Sequence, residues 1–252
     1  MHLHYVVMMG TAGSGKSTLT STLESFMKNY NLDVITVNLD PAARRLPYAP
    51  EVDIRDFVDI NEIMNQLGLG PNGALIAAVD MVAGQVDQIK EAAEGSKADY
   101  AIVDTPGQIE LFAYRSTGPL IISALEGATT TSLHLLDPNL ARSAVGFVSL
   151  ALLGLSLQYR FTATQFTVLA KSDLLSEQEI DRIVNWSVNP VDLCDDVDAT
   201  GKGVTRELSK MICEMFEQLE SKTEVIPVSA QRNEGMDTLY AELERVWTTE
   251  VT

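Results

Sequence analysis

Cysteine, histidine and basic charge are all scarce in this chain. The two cysteines, Cys194 and Cys213, have no CxxC spacing and no histidine nearby. Neither a zinc site nor a disulfide framework is supported, and ordinary thiols in a reducing cytoplasm are expected. The three histidines, His2, His4 and His134, are scattered and form no cluster. Lysine and arginine number 18 against 35 acidic residues, for a formal net charge of −17. That balance excludes a broad basic surface for direct nucleic-acid or anionic-membrane binding, while leaving room for a local phosphate pocket. Long apolar runs are also missing. The longest, Ala144 to Leu157, falls short of the roughly 20 residues a membrane-spanning helix needs and predicts a buried helix. Tyr5 to Met9 is followed at once by Gly10 with no cleavage pattern, so no signal peptide is expected.

What is present is ordinary globular composition, 252 residues of which 46% are hydrophobic, enough for one α/β domain or two small ones. Short apolar runs alternate with longer amphipathic segments, the pattern of a mainly parallel sheet flanked by helices. Strands are predicted at 2–9, 34–39, 100–105, 130–137, 164–171 and 223–229, and helices starting near Lys16, Ile54, Ala74, Ile109, Asn139, Glu177, Val204 and Gly235. In such sheets ligands bind beyond the carboxyl ends of the strands. Two stretches exceed a simple alternation: about 44–94, and 188–204 with its acidic turn. The first contains Gly68-Leu-Gly70-Pro71-Asn72-Gly73, where Pro71 fixes its φ and Asn72 and Gly73 tolerate positive φ; a tight turn is predicted. Apolar stripes flank it, Ile60, Ile63, Met64 and Leu67 before and Leu75, Val79 and Val82 after.

Gly10-Thr-Ala-Gly13-Ser14-Gly15-Lys16-Ser17, followed by Thr18, fits the phosphate-loop pattern between a strand and a helix. Its backbone N–H groups can wrap phosphates, Lys16 can reach the β and γ oxygens, and the Ser17 hydroxyl can ligate Mg²⁺. Asp104-Thr-Pro-Gly107-Gln108 closes the third predicted strand. There Asp104 can hold Mg²⁺ directly or through water, and the Gly107 N–H can sense a γ-phosphate.

Ala170-Lys171-Ser172-Asp173 resembles the NKxD signature of GTPases, whose aspartate reads guanine N1 and N2 and whose lysine packs over the base. Val228-Ser229-Ala230 resembles their SA loop, which contacts guanine O6 through a backbone N–H. Ala170 stands where NKxD has asparagine, removing a side chain that ties the loop to the phosphate loop.

GTAGSGKST, NLDPA, GPN, DTPGQIELF, KSD and VSA occur in this order, and the chain as a whole resembles the GPN-loop GTPases, most of all their single-chain archaeal members. The resemblance implies one P-loop NTPase domain over 1–252, a three-layer α/β sandwich with a helical insertion carrying the GPN loop. It implies a homodimer that binds GTP or GDP with Mg²⁺ and hydrolyses GTP, with Gly70, Pro71 and Asn72 of one subunit reaching the other's nucleotide. Asp40 and Asp104 would hold or place Mg²⁺ and the attacking water, which Gln108 and Glu110 would orient. Eukaryotic members are implicated in RNA polymerase assembly, which implies an unidentified protein client of that kind. Two alternatives stay open: a phosphate-loop kinase with 44–94 as its lid, and a non-hydrolysing nucleotide-dependent scaffold.

Overall fold

The computed structural model describes residues 3–125, 129–161, 163–201, 203–218 and 224–249; the strand starts predicted at His2 and Thr223 lie outside them. Seven strands form one sheet: β1 His4–Gly10, β2 Val34–Asn38, β3 Val52–Asp53, β4 Tyr100–Asp104, β5 Thr129–Leu136, β6 Thr164–Leu169 and β7 Val225–Pro227. Their spatial order is β3-β2-β4-β1-β5-β6-β7, and every pair is parallel. A parallel sheet needs cover on both faces, which is why the central strand β1 is apolar on both and buried from Tyr5 onward.

The described helices are α1 Lys16–Asn29, α2 Ile60–Leu67, α3 Pro71–Ala83, α4 Val86–Gly95, α5 Ile109–Ala113, α6 Thr117–Ala124, α7 Pro138–Ala141, α8 Ala144–Arg160, α9 Glu177–Val188, α10 Pro190–Thr200, α11 Gly203–Gln218 and α12 Met236–Thr249. On one face α1 and α12 pack Leu19, Leu23, Leu239 and Leu243 against Val6, Met8, Ile102 and Leu133. On the other, α3 to α6 cover Tyr5, Val7 and Val103, and α8 to α11 build a further cluster around Phe147, Trp186 and Val225. The apolar run from Ala144 is the buried helix predicted; among the described residues no helix is long and apolar enough to cross a membrane.

Four points are corrected or added. The Pro71-Asn72-Gly73 turn is the first turn of α3: Gly68 ends α2 at φ 62°, Gly70 is extended at φ −71° and ψ 170°, and Pro71 takes the first helical position. That position suits proline, whose missing N–H has no intrahelical partner there anyway. The corner is therefore sharp because two helices meet in it. The flanking stripes are used inside the subunit, since Ile63, Val79 and Val82 are buried and Ile60 and Met64 pack on the same core; Leu67, 60% exposed, is the exception. The acidic stretch near 190–200 is the helix α10, with Leu193 and Val197 four apart and buried and Asp198 bonded to Arg206 and Lys210 of α11. Finally β3, two residues long, adds an edge strand that periodicity could not reveal. Cys194 and Cys213 prove to be neighbours across α10 and α11, and burial pushes both thiols up, Cys213 to about 12.

His134 of β5 faces α8, where a Cβ on Gly154 would stand 2.6 Å from its Nδ1. Neither ring nitrogen has a hydrogen-bond partner, and burial lowers its pKa to about 4. The folded protein thus holds this imidazole neutral, and its contribution to stability is intact above the unfolded value near 6.5 and lost as pH falls towards 4. Between pH 7 and 4 the shift predicts a loss of about 3 kcal/mol. Denaturant titrations should show that part of the acid destabilisation missing in His134→Gln; parallel pH profiles would refute it.

Candidate functional site

The carboxyl edge of the sheet gathers most of the predicted residues. β1 ends at Gly10 and hands the chain to α1 through Gly15, at φ 105°, a left-handed conformation that a side chain would strain. Ser14 lies in this loop with a fully buried hydroxyl that has no partner, and its N–H closes the loop on the Thr11 carbonyl at 3.1 Å. Lys16 reaches across the loop, donating from Nζ to the carbonyls of Gly10 at 2.9 Å, Thr11 at 3.2 Å and Gly107 at 3.3 Å. Burial lowers the Lys16 pKa against the opposing pull of Asp104, Asp40 and Glu110, so four charged groups share one region.

Asp40, two residues past β2, is held firmly. Its Oδ2 accepts the Gly107 N–H at 3.1 Å and its Oδ1 the Ala42 N–H at 2.9 Å, while its own N–H donates to Asn38 Oδ1. The γ-phosphate sensor predicted at Gly107 is thereby tied directly to Asp40. Asp104, at the end of β4, is 1% exposed. Burial raises its pKa, and Ser17, Tyr48 and Lys16 pull it back. Its Oδ2 accepts the Tyr48 hydroxyl at 2.9 Å; its Oδ1 is buried without a well-formed hydrogen bond, and the Ser17 hydroxyl faces the same carboxylate. A hard cation suits this set, a hydroxyl and a carboxylate oxygen brought together, with nucleotide oxygens completing it. Among the described residues no group of three or more His, Cys, Asp or Glu side chains could hold a metal by itself.

The second half of the site lies beyond β6 and β7. Asp173 accepts the Ser229 hydroxyl on Oδ1 at 2.7 Å, and the Ser172 N–H donates to the Val228 carbonyl at 3.1 Å. A cavity opens there between Gly15, Thr18 and Leu19 on one side and Lys171, Asp173 and Ala230 on the other. The Ser229 N–H is engaged with the Glu234 carbonyl at 3.0 Å, which directs attention to Ala230. The tie expected to be missing at Ala170 is supplied by its neighbour: Lys171 Nζ donates to the Gly13 carbonyl, and its stem runs along Gly15.

Other predicted residues stand apart. Gln108 and Glu110 begin α5 and are exposed, Glu110 within electrostatic range of Lys16. Gly70, Pro71 and Asn72 are exposed; Pro71 and Asn72 line a separate cavity with Pro41, Ala42, Arg44 and Arg55. The described residues lining that cavity include none from the phosphate loop. Sequence reasoning missed Tyr48 and Arg55. Arg55 pairs with Asp53 and donates to the Ala43 carbonyl at 2.8 Å, fastening the loop after Asp40 to the sheet edge. An aromatic residue between two prolines in Pro47-Tyr48-Ala49-Pro50 was the available signal for Tyr48.

Residues 8–249 match the family described as "Conserved hypothetical ATP binding protein". The chain is 31% identical over 245 residues to GPN-loop GTPase 1 of Dictyostelium discoideum, spanning 94% of this chain and 60% of that longer protein. It is also 31% identical over 238 residues to GPN-loop GTPase PAB0955 of Pyrococcus abyssi, spanning 93% of each. The crystal structure of that Pyrococcus GTPase in its apo form superposes with a TM-score of 0.85 at 29% identity, covering 98% of this chain and 97% of the other. With sequence and fold alike shared from one end of the domain to the other, the chain belongs to the GPN-loop GTPase family.

Proposed function

We propose that this protein binds GTP with Mg²⁺ and hydrolyses it to GDP and phosphate, as a homodimer in the cytoplasm. The observation that carries the choice of guanine is the Asp173 carboxylate. Ser229 occupies one oxygen, and Asp173 lines a cavity against the phosphate loop, where its other oxygen would accept from N1–H and N2–H of guanine. Adenine offers no donor pair at those positions. Ala230 would supply the N–H for O6, and Lys171 would cover the base while tying its loop to Gly13.

Hydrolysis of a γ-phosphoryl group is chiefly a matter of placement and charge compensation. Gly10, Gly13, Ser14, Gly15 and Thr18 form the phosphate cradle in this reading, and Lys16 exchanges its carbonyl partners for phosphate oxygens. Gly107 changes partner likewise, releasing Asp40 Oδ2 as an acceptor for the attacking water, with Gln108 and Glu110 completing its orientation. Ser17 and Asp104 would hold Mg²⁺, which when bound neutralises charge on the β and γ oxygens. Asp40, anchored on Oδ1 by the Ala42 N–H, would keep its freed Oδ2 for that water or for Mg²⁺.

The GPN corner is proposed to act on the partner subunit's nucleotide. Support comes from its exposure and from the absence of phosphate-loop residues from the cavity that Pro71 and Asn72 line. Asn72→Ala should then lower GTP turnover by about 10²-fold, the usual loss for one transition-state hydrogen-bond donor, while GDP binding holds. Phosphate release, measured with solution mass under no nucleotide, GDP and a non-hydrolysable GTP analogue, tests the reading. Phosphate appearing on an added acceptor, or turnover indifferent to Asn72, would count against it. The client proposed is another protein under assembly, RNA polymerase subunits being the first to test.

A further inference from the structure

The segment Leu46-Pro47-Tyr48-Ala49-Pro50 lies outside every motif with an assigned role. Its backbone is stiff, because Pro47 fixes its own φ and Pro50 holds Ala49 in an extended conformation. Both ends are fastened. The Ser21 hydroxyl of α1 donates to the Pro47 carbonyl at 3.0 Å. Glu51 donates its N–H to the Thr36 carbonyl at 3.0 Å and accepts the Thr36 N–H on Oε2 at 2.7 Å. Between these anchors the Tyr48 hydroxyl reaches a residue 56 positions away, donating to Asp104 Oδ2 at 2.9 Å.

Asp104 therefore has two unequal oxygens. Oδ2 is occupied by a phenol, while Oδ1, buried and without a well-formed bond, lies on the carboxylate that Ser17 faces. Rotation about the terminal carboxylate torsion is broad and two-fold, so burial alone does not keep the plane in one orientation. A donor fixed on one oxygen does, and a neutral phenol adds no positive charge to compete with a cation. We infer that Tyr48 is a positioning residue for the divalent cation: it pins Asp104 Oδ2 from a rigid brace so that Oδ1 stays directed, beside the Ser17 hydroxyl, at Mg²⁺.

The inference rests on the Mg²⁺-dependent GTPase reading, and the test separates the two. Release of a fluorescent GDP is followed in the full chain across a Mg²⁺ titration. In Tyr48→Phe the Mg²⁺ midpoint should rise about tenfold, the usual cost of losing an outer partner of a metal ligand. GDP affinity measured without metal should stay within twofold of the parent, because the phenol acts through Asp104. Ser21→Ala, which loosens one anchor and leaves the hydroxyl in place, should shift the midpoint the same way by less, and carries the test if the phenylalanine variant does not fold. An unchanged midpoint in both variants overturns the inference, as does an equal loss of affinity with and without metal. A parent protein that releases GDP identically at every Mg²⁺ concentration would instead overturn the GTPase reading beneath it.

Discussion

Lys16→Met should lower GTP turnover by about 10³-fold while leaving the fold as stable as before, or more so. The loss follows from what one positive donor at a γ-phosphoryl group contributes: removing a single neutral donor to a developing oxyanion costs about 10²–10³-fold, and here the charge is lost too. Stability moves the other way because the folded protein holds this ammonium at a cost. Lys16 is 5% exposed, and burial depresses its pKa despite the carboxylates of Asp104, Asp40 and Glu110 around it. Its three bonds go to backbone carbonyls of Gly10, Thr11 and Gly107, arranged around one side chain. Methionine keeps the stem's volume and removes the desolvated charge, a familiar exchange of function for stability. Phosphate release and thermal unfolding on the same preparation check both halves. Turnover within tenfold of the parent would remove Lys16 from the machinery, whatever the melting temperature does.

Asp173→Asn should convert a guanosine nucleotide hydrolase into a xanthosine nucleotide hydrolase. Ser229 donates to Oδ1 at 2.7 Å. An asparagine keeps that bond only by presenting its own carbonyl to Ser229, which turns its amide NH₂ towards the base. Guanine offers N1–H and N2–H, donors that then meet a donor. Xanthine keeps N1–H but replaces the N2 donor with a carbonyl at position 2, which accepts from that amide. Sites built to hydrogen-bond a polar group reject the mismatched analogue by about 10⁴-fold, and the ratio of kcat/KM for XTP over GTP should move by that order. A variant that loses GTP without gaining XTP would show that the Ser229 bond does not fix the amide's orientation, and an unaltered preference would place base recognition elsewhere.

The phosphate loop, the DTPG turn and the two loops proposed to read the base stand out in the sequence because each depends on local chemistry: glycines for backbone approach, a lysine and a hydroxyl at fixed spacing, an acid at a strand end. Their assembly along one sheet edge followed from the alternation of strands and helices. Less was legible where a short motif fits two local structures. Proline, asparagine and glycine in a row describe a tight turn or a first helical turn equally well, and only the apolar contacts of Ala74, Ala78 and Val82 with the core selected the helix. The same holds for the acidic turn read within 188–204, which became a helix once Leu193 and Val197 found a buried face and Asp198 found Arg206 and Lys210.

The amino-acid sequence by itself determined the architecture, the phosphate-loop pattern and the acid proposed to read the base, since periodicity and motif spacing are properties of neighbours along the chain. Tertiary structure alone decided which oxygen of Asp104 the Tyr48 hydroxyl occupies, that Asp40 holds the Gly107 N–H, that Lys171 replaces the tie missing at Ala170, and that the stripes around the GPN corner belong to the core. Those are contacts between residues tens to more than a hundred positions apart. Their geometry is set by how the helices and loops pack over a twisted sheet, and no local pattern carries it.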